Sequence, residues 1–101
     1  MINVIASIHV KAGRIPEFLD IFKSNVPSVK GEKGCIEYVP TVDVDSGLPP
    51  QHLDENRVTV IEKWESLEAL HAHLRAPHML TYREQVKDMV EDLSLNVLEE
   101  A

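Results

Sequence analysis

The sequence predicts an α+β fold of the ferredoxin-like, split βαβ kind, occupying residues 1–101 as one domain. Three observations carry that expectation. Apolar residues alternate with period two in three β-branched runs, they recur at helical spacing in the stretches between and after those runs, and the resulting order is strand, helix, strand, strand, broken helix, strand.

Each element can be justified in turn. In Ile2–Val10, Ile2, Val4, Ala6, Ile8 and Val10 form one apolar face, and Asn3, Ser7 and His9 share the other with Ile5. Lys11-Ala12-Gly13 makes a turn. A helix follows with Pro16 tolerated in its first turn, and Ile15, Phe18, Leu19, Phe22 and Val26 give it one apolar face. Pro27 and Gly31 are expected to end it. Gly34 opens a second strand from Cys35 to about Val44, where Pro40 requires a bulge or an edge position. Asp45 to Asn56 carries Ser46-Gly47, Pro49-Pro50 and Asp54-Glu55, the chemistry of a long hairpin connection.

Arg57–Trp64 is the third strand, with Val58, Val60, Glu62 and Trp64 on one face. Ser66 is the N-cap of a helix carrying Leu67, Leu70, His71, His73 and Leu74. Ala76-Pro77 breaks that helix, and Pro77 starts another that carries Met79, Leu80, Tyr82, Val86, Met89 and Val90. Ser94–Leu98 is expected as a short last strand. Helices on one sheet face leave the other bare, and that face holds apolar as well as polar side chains, so a second copy packing sheet to sheet is the expected cover.

Composition narrows the function. With 101 residues and 44% hydrophobic side chains the chain is an ordinary globular domain. A domain of this size buries only about two thirds of its unfolded surface, so pairing would help it. A formal net charge of −7 repels phosphate backbones and argues against nucleic acid as a partner. The single cysteine, Cys35, permits no internal disulfide and is expected to be a buried, inert thiol. The first ten residues lack a signal-peptide pattern and are too short and too polar to span a membrane, so a cytoplasmic location is expected.

Three stretches carry a family resemblance. Lys33-Gly34-Cys35-Ile36-Glu37-Tyr38 opens strand two. Ile61-Glu62-Lys63-Trp64-Glu65-Ser66 closes strand three. His71-Ala72-His73-Leu74-Arg75-Ala76-Pro77-His78-Met79 places an Ala-His pair ahead of Pro-His. Together, in this order, they resemble the antibiotic-biosynthesis-monooxygenase family, and most of all its bacterial quinol monooxygenases. The resemblance covers nearly the whole chain. It implies a homodimer whose sheets close into an αβ-barrel, and oxidation of a hydroquinone or related phenolic by O₂ with no metal, flavin or haem. Such chemistry needs an apolar cavity, a base for a phenolic proton, and donors for the oxygens.

His73 is the candidate base, since an imidazole can take a phenolic proton near neutral pH. His78 is the second catalytic candidate: a neutral ring at a helix start can hold a substrate oxygen. Helix-surface placement is the plain alternative for His73, and local structure at the break is the alternative for His78. Glu62 and Trp64 are candidates for substrate binding; Glu62 could instead hold His73 or salt-bridge an Arg across the dimer, and Trp64 could be core or interface. Tyr82, four residues after His78, and Tyr38 and His9 on the strands complete the set. No metal site is expected, because His71 and His73 point about 200° apart on a helix and a fourth ligand is missing.

Three other functions compete with this one. Haem-degrading relatives use Asn, Trp and His where this chain approximately has Ala6, His73 and Arg83. An isomerase of a small phosphorylated signalling sugar would share the His and Pro-His pattern but needs a cationic site, for which Arg75, Arg83 and Lys87 are the supply. A non-catalytic dimeric binding module would turn nothing over.

Overall fold

A computed structural model describes residues Met1–Ala101. Seven elements follow one another: β1 (Ile2–Val10), α1 (Ile15–Lys30), β2 (Cys35–Val42), β3 (Arg57–Trp64), α2 (Leu67–Arg75), α3 (Pro77–Val86) and β4 (Val90–Leu98). The four strands form one sheet in the order β2-β3-β1-β4, and every neighbouring pair is antiparallel. β3 is inserted between β1 and β2, which is the split βαβ arrangement expected of a ferredoxin-like α+β fold.

Burial follows the sequence periods. β1 alternates strictly, with Ile2, Val4, Ala6, Ile8 and Val10 buried and the residues between them half-buried. Register sets Val58, Val60, Glu62 and Trp64 of β3 beside that buried row, on the face the helices cover. α1 packs on β2 and α3, and α2 on β3. Phe18, Phe22, Tyr38 and Tyr82 meet between them: Phe22 stacks on Tyr38 at 5.4 Å and meets Tyr82 edge-on at 5.6 Å. Burying each such ring contributes about 1.5–3 kcal/mol, so this cluster fixes the helices on the sheet.

The element ends differ from expectation in three places. α1 runs through Pro27 to Lys30 instead of stopping there. Pro27 sits in the last turn, where its missing N–H orphans one carbonyl on an exposed stretch. Gly31 N–H donating to Pro27 O and the fully buried Val29 hold that turn in place. β2 stops at Val42, two residues short; Pro40 lies on it at the sheet edge, and the register shift falls near Ile36. β4 starts at Val90 rather than Ser94, and α3 ends at Val86. Val90 pairs with Val10, and Lys11 N–H donates to Met89 O, so pairing with β1 overrides the helical spacing of Val86, Met89 and Val90.

Gly34 makes a contact that matters for the site. Its φ is +87°, and a Cβ there would lie 2.6 Å from Ala69 Cβ on α2. Only glycine allows both the left-handed turn and that approach. The turn brings the loop between α1 and β2 down onto α2.

Candidate functional site

Between the helices and the β1–β3–β4 part of the sheet lies a cavity of about 330 Å³. Its wall is mostly apolar: Ala6, Ile8 and Val60 from the sheet, Phe22, Met79 and Val86 from the helices, and Leu93 and Leu95 of β4. Tyr38, Glu62, His73 and Tyr82 also line it, and Arg83 and Lys87 border it.

His73 is 2% exposed, on the inward face of α2, whereas His71 faces out. Its ring lies 4.6 Å from Trp64 and 5.4 Å from Tyr38, centroid to centroid. Nδ1 is 2.9 Å from Glu32 Oε2. A carboxylate accepts, so the ring donates from Nδ1 and a neutral imidazole keeps its lone pair on Nε2. No protein group bonds Nε2, and no buried side-chain nitrogen or oxygen in the structure lacks a partner. That nitrogen is therefore reached from the cavity. Burial lowers the His73 pKa below the ordinary imidazole value, against the raising pull of Glu32, with His78 and Arg83 adding to the lowering. The neutral form is favoured.

The hydroxyls of Tyr38 and Tyr82 follow the same logic. Neither has a protein partner, so both open to the cavity. Burial, reinforced by the Glu62 carboxylate, pushes both phenols well above their ordinary pKa, so they stay protonated donors. Glu62 accepts a hydrogen bond from Trp64 Nε1 at 3.0 Å. Burial pushes its carboxyl up to about 7, only partly opposed by the Trp64 bond. A carboxyl titrating there can donate or accept near neutral pH. The cavity thus offers a free imidazole nitrogen, two phenol donors and one carboxyl, set in an apolar wall.

Three of the expected site residues do not line it. His9 lies on the other sheet face, because Ile8 next to it points into the cavity and strand side chains alternate. Its Nε2 is 2.9 Å from Asp54 Oδ2. Trp64 is fully buried behind His73 and does not reach the hollow. His78 meets Glu32 instead, with Nε2 2.7 Å from Oε2 and a side chain 28% exposed. Cys35 is half-buried instead of buried, its thiol pKa raised chiefly by burial.

Glu32 is the residue that sequence reasoning missed. It lies in a loop outside any periodic run, 41 positions from His73, and its only sequence signal is the Gly34 that follows. No group of three His, Cys, Asp or Glu side chains is placed to hold a metal ion. No helix is long and apolar enough to cross a membrane.

Comparison with known proteins identifies the family and the fold. The model of the family described as antibiotic biosynthesis monooxygenase matches residues 1–85. A protein of Escherichia coli K12 named probable quinol monooxygenase YgiN is 39% identical over 101 residues, covering 98% of this chain and 97% of the relative. Among solved structures, a conserved protein from Methanosarcina mazei superposes with a TM-score of 0.84 at 22% identity, covering 99% of this chain and 92% of its own. Protein SO0527 from Shewanella oneidensis gives 0.80 at 26% identity, covering 96% and 87%. The chain belongs to the antibiotic biosynthesis monooxygenase family and is an enzyme of the monooxygenase type.

Proposed function

From that membership, we propose that the chain oxidises a hydroquinone or related phenolic with O₂ in the cavity between helices and sheet, without metal, flavin or haem. The observation that carries the reading is the free Nε2 of a buried, neutral His73 facing an apolar hollow that also holds Tyr38, Tyr82 and Glu62. The name of the E. coli relative points to the same substrate class.

The chemistry asks little of the protein. His73 takes a phenolic proton at Nε2. The resulting anion is electron-rich and passes an electron to O₂, and the two radicals combine as a ring-bound peroxide. His73 returns its proton to the outer peroxide oxygen. The O–O bond breaks as the ring carbon that bears the peroxide gives up its hydrogen as a proton and becomes a carbonyl, and that proton joins the departing hydroxide as water. Overall the substrate gains one oxygen atom and loses two hydrogens, and the second oxygen leaves as water. Tyr38, Tyr82 and protonated Glu62 supply donors to the oxygens, and the apolar wall keeps bulk water from quenching the anion.

The phosphorylated-sugar reading gains nothing from the site. Arg83 and Lys87 do border the cavity, but Arg83 donates to Leu74 O at 2.6 Å and Lys87 pairs with Glu84 at 2.6 Å. The working unit in this proposal is a homodimer forming an αβ-barrel. Val39, Ile61 and Ile5 stand in one apolar row across three strands on the face away from the helices, and Leu98 is exposed on the same face. A stable pairing would bury roughly 800 Å² of each copy there.

An oxygen electrode with naphthohydroquinones and catechols tests the reaction, using the whole protein with and without chelator. Hydroquinone-dependent uptake that survives chelation is expected, with an oxygenated product and no stoichiometric peroxide. Loss on chelation with restoration by iron or zinc overturns the cofactor-free reading, and quinone plus peroxide overturns oxygenation. Sedimentation of the same sample at the mass of one chain would remove the dimer.

A further inference from the structure

We propose that Glu32 is a positioning residue: its carboxylate holds the His73 proton on Nδ1 so that Nε2 meets the cavity as an acceptor, and His78 is the clamp that holds Glu32 there. The inference deepens the reading of His73 as the base and rests on it for its catalytic part.

Geometry alone makes the case. Both imidazoles donate to one oxygen, Glu32 Oε2, His73 from Nδ1 at 2.9 Å and His78 from Nε2 at 2.7 Å. No other protein group bonds the His73 ring, so its tautomer is set at this contact. The carboxylate cannot drift, because its backbone is tied on both sides: Glu32 N–H donates to Val29 O and Cys35 N–H to Glu32 O. Two residues on, the Gly34 turn against Ala69 fixes the loop on α2. The Glu32 side chain is 12% exposed, and that of His78, in contact with it, is 28% exposed.

The consequence for a base is direct. A neutral His73 held this way has one proton, on the side away from the cavity, and its lone pair points at the substrate. Once Nε2 takes a proton, the imidazolium faces the Glu32 carboxylate, which offsets the burial that opposes its charge. The other groups facing this ring are His78 and Arg83 from α3, Tyr38 from β2, and Glu62 and Trp64 from β3. Glu32 is the carboxylate that hydrogen-bonds the ring. The same orienting role, a buried carboxylate behind an imidazole base, recurs on unrelated folds.

The test reads the imidazole nitrogens by NMR in the ¹⁵N-labelled full chain, with His73 assigned by its loss in His73→Gln. The wild type is expected to show Nδ1 protonated and Nε2 bare at pH 8. Glu32→Gln removes the charge while keeping the size, and should move the His73 titration at least one pH unit lower, about a tenfold loss of proton affinity. Its kcat for hydroquinone-dependent oxygen uptake should fall about 10²–10⁴-fold with KM nearly unchanged. Glu32→Asp, which keeps a carboxylate, should recover part of both.

A wild-type His73 protonated on Nε2 overturns the proposal, and so does a Glu32→Gln protein that titrates at His73 as the wild type does. The wild-type tautomer needs no variant, so a substitution that unfolds leaves the decision intact. If the wild type consumes no oxygen with any hydroquinone, the functional reading above fails, while the nitrogen spectra still decide the role of Glu32.

Discussion

Two histidines in this protein meet a carboxylate at the same distance, and they do different things. His73 lies 2.9 Å from Glu32 with side chains 2% and 12% exposed, whereas His9 lies 2.9 Å from Asp54 with side chains 39% and 31% exposed. The first pair is enclosed by Trp64, Tyr38 and the cavity wall. The second sits at the loop before β3, where Asp54 also caps Asn56 N–H and Arg57 bonds Asp43. Water and salt screen the exposed pair, so it ties a loop and little more. Burial makes the enclosed pair decide where a proton sits. Distance alone identifies a contact, and the surroundings give it a function.

The largest effect expected from this contrast is on turnover. His73→Ala should lower hydroquinone-dependent oxygen uptake about 10²–10⁴-fold, the usual worth of a general base. Steady-state kinetics at pH 7.5 reads it, and a variant retaining a tenth of the wild-type rate would dissolve the distinction between the two histidines.

Next comes stability around Glu62, which sharpens the role assigned to burial. Its carboxyl is raised from an ordinary 4.5 to about 7 in the folded protein. A raised carboxyl means the native state holds a proton that the unfolded chain releases between those values. Its favourable contribution is therefore full below pH 4.5 and is lost as pH rises to 7. Glu62→Gln, which keeps an acceptor for Trp64 Nε1, should be more stable than the wild type by about 1–3 kcal/mol at pH 8 and equal to it near pH 4.5. Urea melts at the two pH values check this, and a difference independent of pH would mean the carboxyl titrates normally. His73 acts in the opposite sense. Its depressed folded pKa makes the native state lose stability as pH falls below the ordinary imidazole value of 6.5.

The smallest effect expected is at the exposed pair. His9→Ala should cost less than about 1 kcal/mol in a urea melt and leave oxygen uptake unchanged. A severalfold loss of rate would bring the outer sheet face into the reaction.

Much of this was legible in the chain. Period two in Ile2–Val10 and Arg57–Trp64 placed Glu62 and Trp64 on the buried face, and helical spacing separated His73 from His71. The break at Ala76-Pro77 was readable because Pro77 cannot donate, and Ser66 as a cap because its hydroxyl accepts from Ala69 N–H. The misses share a different cause. β4 beginning at Val90 depends on pairing with Val10, 80 positions away along the chain, and no local spacing announces that contact. His78 facing Glu32 instead of the cavity depends on how α3 leaves the break.

The sequence by itself determined the elements, their faces and the family, because periodicity, capping and turn chemistry act within a few residues. Only the tertiary structure decided that Glu32 stands behind His73 and that His9 does not belong to the same hollow. Glu32 has no periodic neighbours to fix its direction. Its place comes from a left-handed turn at Gly34 pressed against Ala69, and such a contact exists only once the helix has docked on the sheet.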